Sequence, residues 1–279
     1  MDKRILSQLR LCIQNNRQIS FLVGAGLSSE SGVPTFRGKD GFWTSGSKNH
    51  APEKIGTRKM FQVASMEVWK WFLYRKSITE NATPNEGHRA LKNIEDLLGD
   101  RFALISQNVD SLHKKEGNSM ERTYLIHGDL DYVRCGDDCS DDVYPFPKDI
   151  SLTHRQKDIL TDLEWSRLRC PKCGEDLRPH VLWFDEFYNE KFYKLDTVMK
   201  IAWKTDLLFV IGTSGTTNLP QRIVEDVLLG GGLVVYVNLD ESHFTHLLKE
   251  EPNGIIINDN SSHFLKELEK SIINTIEEV

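Results

Sequence analysis

FLVGAGLSSESGVPTFRGKDGFW, residues 21–43, is the stretch from which the rest of the chain can be placed. An apolar strand, Ile19 to Val23, breaks at Gly24-Ala25-Gly26 and enters a turn of small residues and hydroxyls that includes Ser28. A strand feeding a glycine turn and then a helix start is how a pyrophosphate is held. Glycines let backbone N–H groups approach it, and the helix N-terminus favours anions. The dinucleotide spacing G-x-G-x-x-G is met only in part, because Ser29 stands where the third glycine would be. Taken alone, a glycine pair after a strand is also an ordinary turn. The residues just beyond the turn are less ordinary. Ser31-Gly32-Val33-Pro34-Thr35-Phe36-Arg37-Gly38 puts rigid or permissive backbone, an aromatic ring and a guanidinium directly after it. A simple hydride-transfer site has no evident need for them.

Outward from this turn, helical and strand patterns alternate. Ile5, Leu6, Leu9, Cys12 and Ile13 form one stripe of an amphipathic helix over 4–15, with Cys12 read as core. Gly41, Gly46, Asn49, Pro52 and Gly56 mark a long loop, after which Phe61 to Ile78 reads as a helix carrying Trp69, Trp71 and Phe72. His88 to Leu98 is a further helix, and Phe102 to Ile105 is a buried strand running into Ser106-Gln107-Asn108-Val109-Asp110. A short strand at 124–126 delivers His127. A second glycine-ended strand, Thr205 to Gly212, is followed by Thr213 and Ser214, a helix over 219–229, and a strand ending at Asn238 and Asp240. A last strand, Gly254 to Asn258, precedes a C-terminal helix. This alternation predicts an α/β fold, a doubly wound parallel (Rossmann-like) sheet, with polar residues at the strand ends where such sheets bind ligands.

The sheet is expected to draw on 1–37, 88–127 and 183–279. It would be interrupted by a loop and helical lobe over 38–87 and a metal-binding module over 128–182. Within that module Cys135 and Cys139 stand close in sequence, as do Cys170 and Cys173. Four thiolates in two close pairs suit tetrahedral Zn²⁺, which as a structural ion takes a closed shell of soft ligands and does no chemistry. Disulfides are the weaker reading in a chain whose start, MDKRILSQLR, shows no apolar run of a secretory signal.

A net charge of −6 argues against general nucleic-acid binding, which leans on concentrated positive surface, and is compatible with basic, lysine-bearing peptides. Apolar runs such as Leu207–Ile211 fall far below the about 20 residues that span a bilayer, so no membrane partner is expected. The expected compartment is a reducing cytoplasm. The sequence leaves the oligomeric state open, a monomer included.

GAGLSSESGVPTFRG (24–38) resembles the cofactor-loop signature of the sirtuins, the Sir2 family of NAD-dependent protein deacylases. SQNVDSLH (106–113), IHGDL (126–130), RPHVLWFDE (178–186), IGTSGTTNLP (211–220) and VNLD (237–240) come after it in the family's order around the two cysteine pairs. The resemblance spans roughly residues 5 to 265 and is nearest the bacterial, class III-like subset. It implies NAD as co-substrate, a structural zinc ion and an acyl-lysine peptide or protein as partner. It implies that Gly24, Ala25, Gly26, Ser28, Phe36, Arg37 and Trp43 contact the phosphates and ribose, and that Gln107, Asn108 and Asp110 line the nicotinamide and ribose pocket. His127 is then the general base, assisted by Asn108. Gly212, Thr213, Ser214, Asn238 and Asp240 hold the adenosine half. Val181, Trp183 and Phe184 form the acyl-lysine tunnel and its peptide-pairing edge.

Several positions depart from the family pattern. Thr35, where many sirtuins have aspartate, and Arg75 resemble the subclass that removes acidic acyl groups such as succinyl, whose Tyr-x-x-Arg pair binds the acyl carboxylate. Here the tyrosine position is Phe72, which cannot donate. Gly56 leaves room for a larger acyl group. Asp185 replaces the glycine usual in WFGE and sets a charge beside the tunnel, and GTSGTTNLP lacks the small apolar residues common after GTS. An NAD glycohydrolase or mono-ADP-ribosyltransferase shares every cofactor residue and differs in its products. A dehydrogenase would need an acidic residue at a second strand's end, and a non-catalytic reader of acyl-lysine would bind peptide without turnover.

Overall fold

The computed structural model describes residues 1–35, 52–152 and 160–279. Among these, nine strands form. In chain order they are β1 (Gln18–Val23), β2 (Phe102–Ser106), β3 (Thr123–Leu125), β4 (Gly128–Cys135) and β5 (Val143–Pro145), then β6 (Leu177–Val181), β7 (Thr205–Ile211), β8 (Leu233–Asn238) and β9 (Gly254–Asn258). The helices that matter below are α1 (Lys3–Gln14), α2 (Ala25–Ser28), α3 (Arg58–Asn81), α4 (Glu86–Leu98), α5 (Leu195–Lys204), α6 (Asn218–Leu229) and α7 (Ser261–Glu278).

Six strands pair in the order β3-β2-β1-β7-β8-β9, all parallel. From β1 the chain builds outward through β2 and β3. It later returns to the other side of β1 and builds outward again through β7, β8 and β9. The direction of winding therefore reverses between β1 and β7, where a doubly wound sheet opens a crevice at the carboxyl ends of its strands.

Period-two alternation sorts the side chains of these strands into two cores. Phe21, Val23, Phe209, Ile211, Val235 and Val237 face α1, α4 and α7, while Leu22, Leu208, Val210, Val234 and Tyr236 face α5 and α6. Cys12 is in the first core, and burial pushes its thiol up to about 12, so it is an inert apolar filler. The strands and helices expected from the sequence are found, with ends shifted by up to a few residues. A helical turn, Pro52–Ile55, lies where the loop was read, started by a proline at its first position.

A second sheet, antiparallel in the order β5-β4-β6, was not foreseen. It packs on α3, whose course breaks at Ala64 (φ −154°, ψ 56°) so that both halves of the helix reach the sheet's apolar face. Phe61, Trp69, Trp71, Phe72, Leu130, Val133, Leu177 and Trp183 share that core. Asp185 accepts from the first backbone N–H groups of α3, Arg58 (2.7 Å) and Lys59 (3.1 Å). The charge expected beside a tunnel is therefore engaged by a helix start that favours it.

Candidate active site at the sheet switch point

Val23 is in register with Ser106 on one side and Ile211 on the other, so the segments after β1, β2 and β7 leave the sheet at one level. The two glycine turns are pressed together there. Gly26 N–H donates to Gly212 O (2.8 Å), and Gly24 N–H to Ile211 O (3.0 Å). A β-carbon on Gly24 would lie 2.6 Å from the Thr213 side chain, and one on Gly26 2.8 Å from Gly212 Cα. Gly212 itself has φ +61°. Each position needs glycine for close approach, and Gly212 for its backbone as well.

Polar side chains from the end of β2 tie this edge together. Gln107 Nε2 donates to Thr213 Oγ1 (3.0 Å), and Asn108 Nδ2 donates to Gly24 O (3.0 Å) and Ser28 Oγ (3.1 Å). Ser28 Oγ–H in turn donates to Asp110 Oδ2 (2.7 Å), whose other oxygen accepts from Leu112 N–H (3.0 Å). Asn108, Asp110 and Ser28 are buried, so this chain is rigid. On the far side, Asn238 Nδ2 donates to Tyr236 OH (2.8 Å), which donates to Thr213 O (3.0 Å). Ser214 is half-buried and Asp240 exposed. Phe36, Arg37 and Trp43 lie outside the described residues.

His127, directly after β3, is held at both ring nitrogens. Nδ1 lies 2.9 Å from Gln107 O, and a carbonyl can only accept, so Nδ1 carries the proton of the neutral ring. Nε2 then presents its lone pair, 2.8 Å from the Tyr188 hydroxyl. Burial lowers the His127 pKa to about 4, against a smaller opposite effect of the Gln107 carbonyl. The ring is therefore neutral at pH 7, with Nε2 its unprotonated nitrogen. Sequence reasoning missed Tyr188. It sits 61 residues from His127, and no spacing rule links them.

The expected substrate residues divide. Phe72, Val181 and Trp183 are buried in one cluster with Val109, the neighbour of Asn108. Phe184 is exposed, and its ring fills the space beside Gly56, where an added β-carbon would meet it at 3.3 Å. The room expected at Gly56 is occupied by this ring. Arg75, one turn beyond Phe72 on α3, is buried with its guanidinium 4.9 Å from the Trp71 ring centroid. Burial lowers its pKa to about 10, opposed by the Asp110 carboxylate, and it stays cationic at neutral pH.

The four cysteines converge at the far end of β4. Cys135 and Cys173 sulfurs are 3.6 Å apart, as are those of Cys139 and Cys170, and all four lie within 4.8 Å of one another. A disulfide would bring two of them to about 2.0 Å. Sulfurs around tetrahedral Zn²⁺ at about 2.3 Å sit about 3.8 Å apart, so the donor set fits that ion with no open position.

Three more histidines are buried and neutral: His88, His113 and His180. Burial lowers their pKa values to about 3, 4 and 4, helped at His88 by His113, 5.0 Å away, and at His180 by Arg134 and Arg178. In the unfolded chain each would titrate near ~6.5. Their contribution to stability is thus complete above about pH 6.5 and is lost as pH falls toward 4, at up to about 1.4 kcal/mol per group per pH unit. Thermal unfolding at pH 7, 6 and 5 is expected to show a steady fall in Tm; a Tm that is flat or rises on acidification would contradict this.

A parallel sheet with a polar crevice at its switch point, joined to a four-cysteine metal knuckle, defines a nucleotide-using α/β protein with a structural metal. The comparisons narrow this. The Sir2 family model matches residues 24–218, and the chain belongs to that family. It is 36% identical to the NAD-dependent protein deacylase of Leptospira interrogans serovar copenhageni over 82% of this chain and 84% of that one. It is also 36% identical to the Pyrococcus abyssi protein of the same name over 86% and 89%. A solved Sir2 homologue in complex with NAD superposes with a TM-score of 0.79 at 29% identity, covering 99% of this chain and 95% of that one. Among the described residues no helix is long and apolar enough to cross a membrane.

Proposed function

We propose that this chain is an NAD-dependent protein-lysine deacylase, releasing nicotinamide and O-acyl-ADP-ribose from NAD and an acylated lysine. The reading rests chiefly on one observation, a neutral imidazole after β3 whose Nδ1–H is fixed by Gln107 O, leaving its Nε2 lone pair to a hydroxyl donor, with Asn108 tied to the glycine turn beside it. Relatives named as NAD-dependent deacylases support it.

The residues at the crevice fit a dinucleotide in kind: glycine turns without side chains, amides and hydroxyls, and no buried carboxylate free of a hydrogen bond among the described residues there. Gly24, Ala25, Gly26, Phe36, Arg37 and Trp43 would bind its phosphate and ribose side, and Gly212, Thr213, Ser214, Asn238 and Asp240 its adenosine side. When bound, NAD supplies a ribose carbon bearing a cationic leaving group, open to attack by the acyl oxygen of the substrate. Gln107 and Asn108, locked by their hydrogen bonds to Thr213, Gly24 and Ser28, orient the nicotinamide end. His127 Nε2 takes the ribose hydroxyl proton, and Gln107 O steadies the Nδ1–H so that charge arriving on the ring has an acceptor. Phe72, Val181, Trp183 and Phe184 exclude water around the acyl-lysine. Residues 1–37, 88–127 and 183–279 form the nucleotide-binding unit, 38–87 the cofactor loop and lobe, and 128–182 the metal module, in a cytoplasmic protein.

Mass spectrometry of acetyl- and succinyl-peptide reactions with NAD tests this. O-acyl-ADP-ribose appearing together with deacylated peptide is the expected result; free ADP-ribose or ADP-ribosylated protein without deacylation would refute it. Acyl preference turns on Arg75, a buried cation on the Phe72 face of α3. Arg75→Met is expected to cut desuccinylation relative to deacetylation about 10- to 100-fold, the worth of a charge-assisted pair. An unchanged ratio would show that Arg75 does not read the acyl chain.

A further inference from the structure

We propose that the Tyr188 hydroxyl is a built-in stand-in for the ribose hydroxyl, capping the His127 base in the free protein and leaving it when nucleotide binds. This rests on the reading of His127 as the base and adds a residue to it. A neutral imidazole has one lone pair, and with Nδ1–H committed to Gln107 O that lone pair is on Nε2. Tyr188 OH takes it at 2.8 Å. A ribose hydroxyl that is to give its proton to Nε2 needs the same lone pair, so the two donors exclude one another. No covalent bond changes in the exchange: Tyr188 keeps its proton, and one O–H replaces another on Nε2.

The contact belongs to a braced segment. Leu182 N–H donates to His127 O (2.9 Å), and Phe184 N–H to Gly56 O (3.0 Å). Glu186 accepts from the fully buried Arg178 (Nη2–Oε2 2.9 Å) and from Trp183 N–H (3.1 Å). Arg178 in turn lies 3.3 Å from the Trp183 ring centroid. The segment leading to Tyr188 is thus fastened by three backbone N–H groups and one buried ion pair, and the ring leans on the core of the α5–α6 face. Release therefore falls to the side chain. Burial pushes the phenol up to about 12, countered by Thr217, so Tyr188 remains a donor at any working pH. Burial and the Gln107 carbonyl are what act on His127, and no charged group acts on either ring among the described residues.

Tyr188→Phe removes the donor and keeps the ring. Calorimetric titration with ADP-ribose, which needs no turnover, is expected to show a Kd about five-fold lower than the parent's, the factor one net hydrogen bond makes in an equilibrium. The KM for NAD should fall similarly, with kcat at saturating NAD moving less than about two-fold. NMR of the His127 ring should show its titration shifted upward, because a donor to the neutral form has gone. Tyr188→Leu, measured alongside with thermal unfolding, should tighten ADP-ribose in the same direction. Equal or weaker ADP-ribose binding by both variants would overturn the cap, and a roughly ten-fold loss of kcat in Tyr188→Phe would instead put the hydroxyl on the proton's path. A parent protein that binds neither ADP-ribose nor NAD would overturn the cap together with the reading beneath it.

Discussion

His127→Ala is expected to lower NAD-dependent deacylation about 10²- to 10⁴-fold, the range over which a positioned general base acts. The size of the loss comes from how fully the ring is committed. Its tautomer is set by Gln107 O, its Nε2 carries the lone pair, and burial holds its pKa near about 4, so essentially all of the protein carries the neutral ring at pH 7. The other described histidines at the large sheet cannot substitute. His88 and His113 are buried against one another, their ring centroids 5.0 Å apart, and burial keeps both neutral and away from solvent. The fold should survive, because His127 is only half-buried and water can take over Gln107 O and the Tyr188 hydroxyl. Steady-state rates at saturating NAD and peptide, beside an unchanged melting curve, are the check. A loss smaller than about ten-fold would move the proton to another group.

Much of this arrangement could be read from the residues, for reasons that differ by element. The large sheet was legible because its strands, the short β3 apart, are apolar runs ended by a polar or glycine signal, and because parallel order follows once helices separate the strands. Its site was legible in part for the same reason: Gln107, Asn108, His127 and Thr213 stand at strand ends, where topology gathers residues far apart in sequence. The small sheet was not. β5 has three residues, and a register shift in β4 between Gly128 and Val133 puts Leu130 and Val133, three apart, into one core, so its alternation is broken. The second-order contacts were also invisible. Asp185 looks like a free charge until α3 arrives at it, Gly56 looks like space until Phe184 fills it, and Tyr188 looks like one more aromatic until it meets His127. In each case the partner is far away along the chain, and the pairing depends on how two modules meet.

Removing the metal should cost more stability than any single substitution in the crevice. A structural zinc ion in a four-cysteine site contributes about 10–16 kcal/mol in small zinc modules, which is comparable to or larger than the about 5–15 kcal/mol by which a whole domain is stable. At the module's far end Cys135 and Cys170 are buried against Leu168 and Leu177, but Cys139 and Cys173 are exposed, and their loops are otherwise held mainly by exposed ion pairs such as Lys172–Asp142. The consequence reaches the crevice through one strand. β4 starts at Gly128, next to His127, and ends at Cys135, about 24 Å away for eight extended residues. It also carries β6, from whose end the segment bearing Trp183 and Tyr188 departs. Treatment with a strong chelator, or Cys173→Ala, is therefore expected to abolish one equivalent of bound zinc, melt β4 through β6, and reduce deacylation at least about 100-fold. Loss of the metal by elemental analysis with an unaltered circular dichroism spectrum, melting temperature and rate would show that the cysteines close this end of the molecule without an ion.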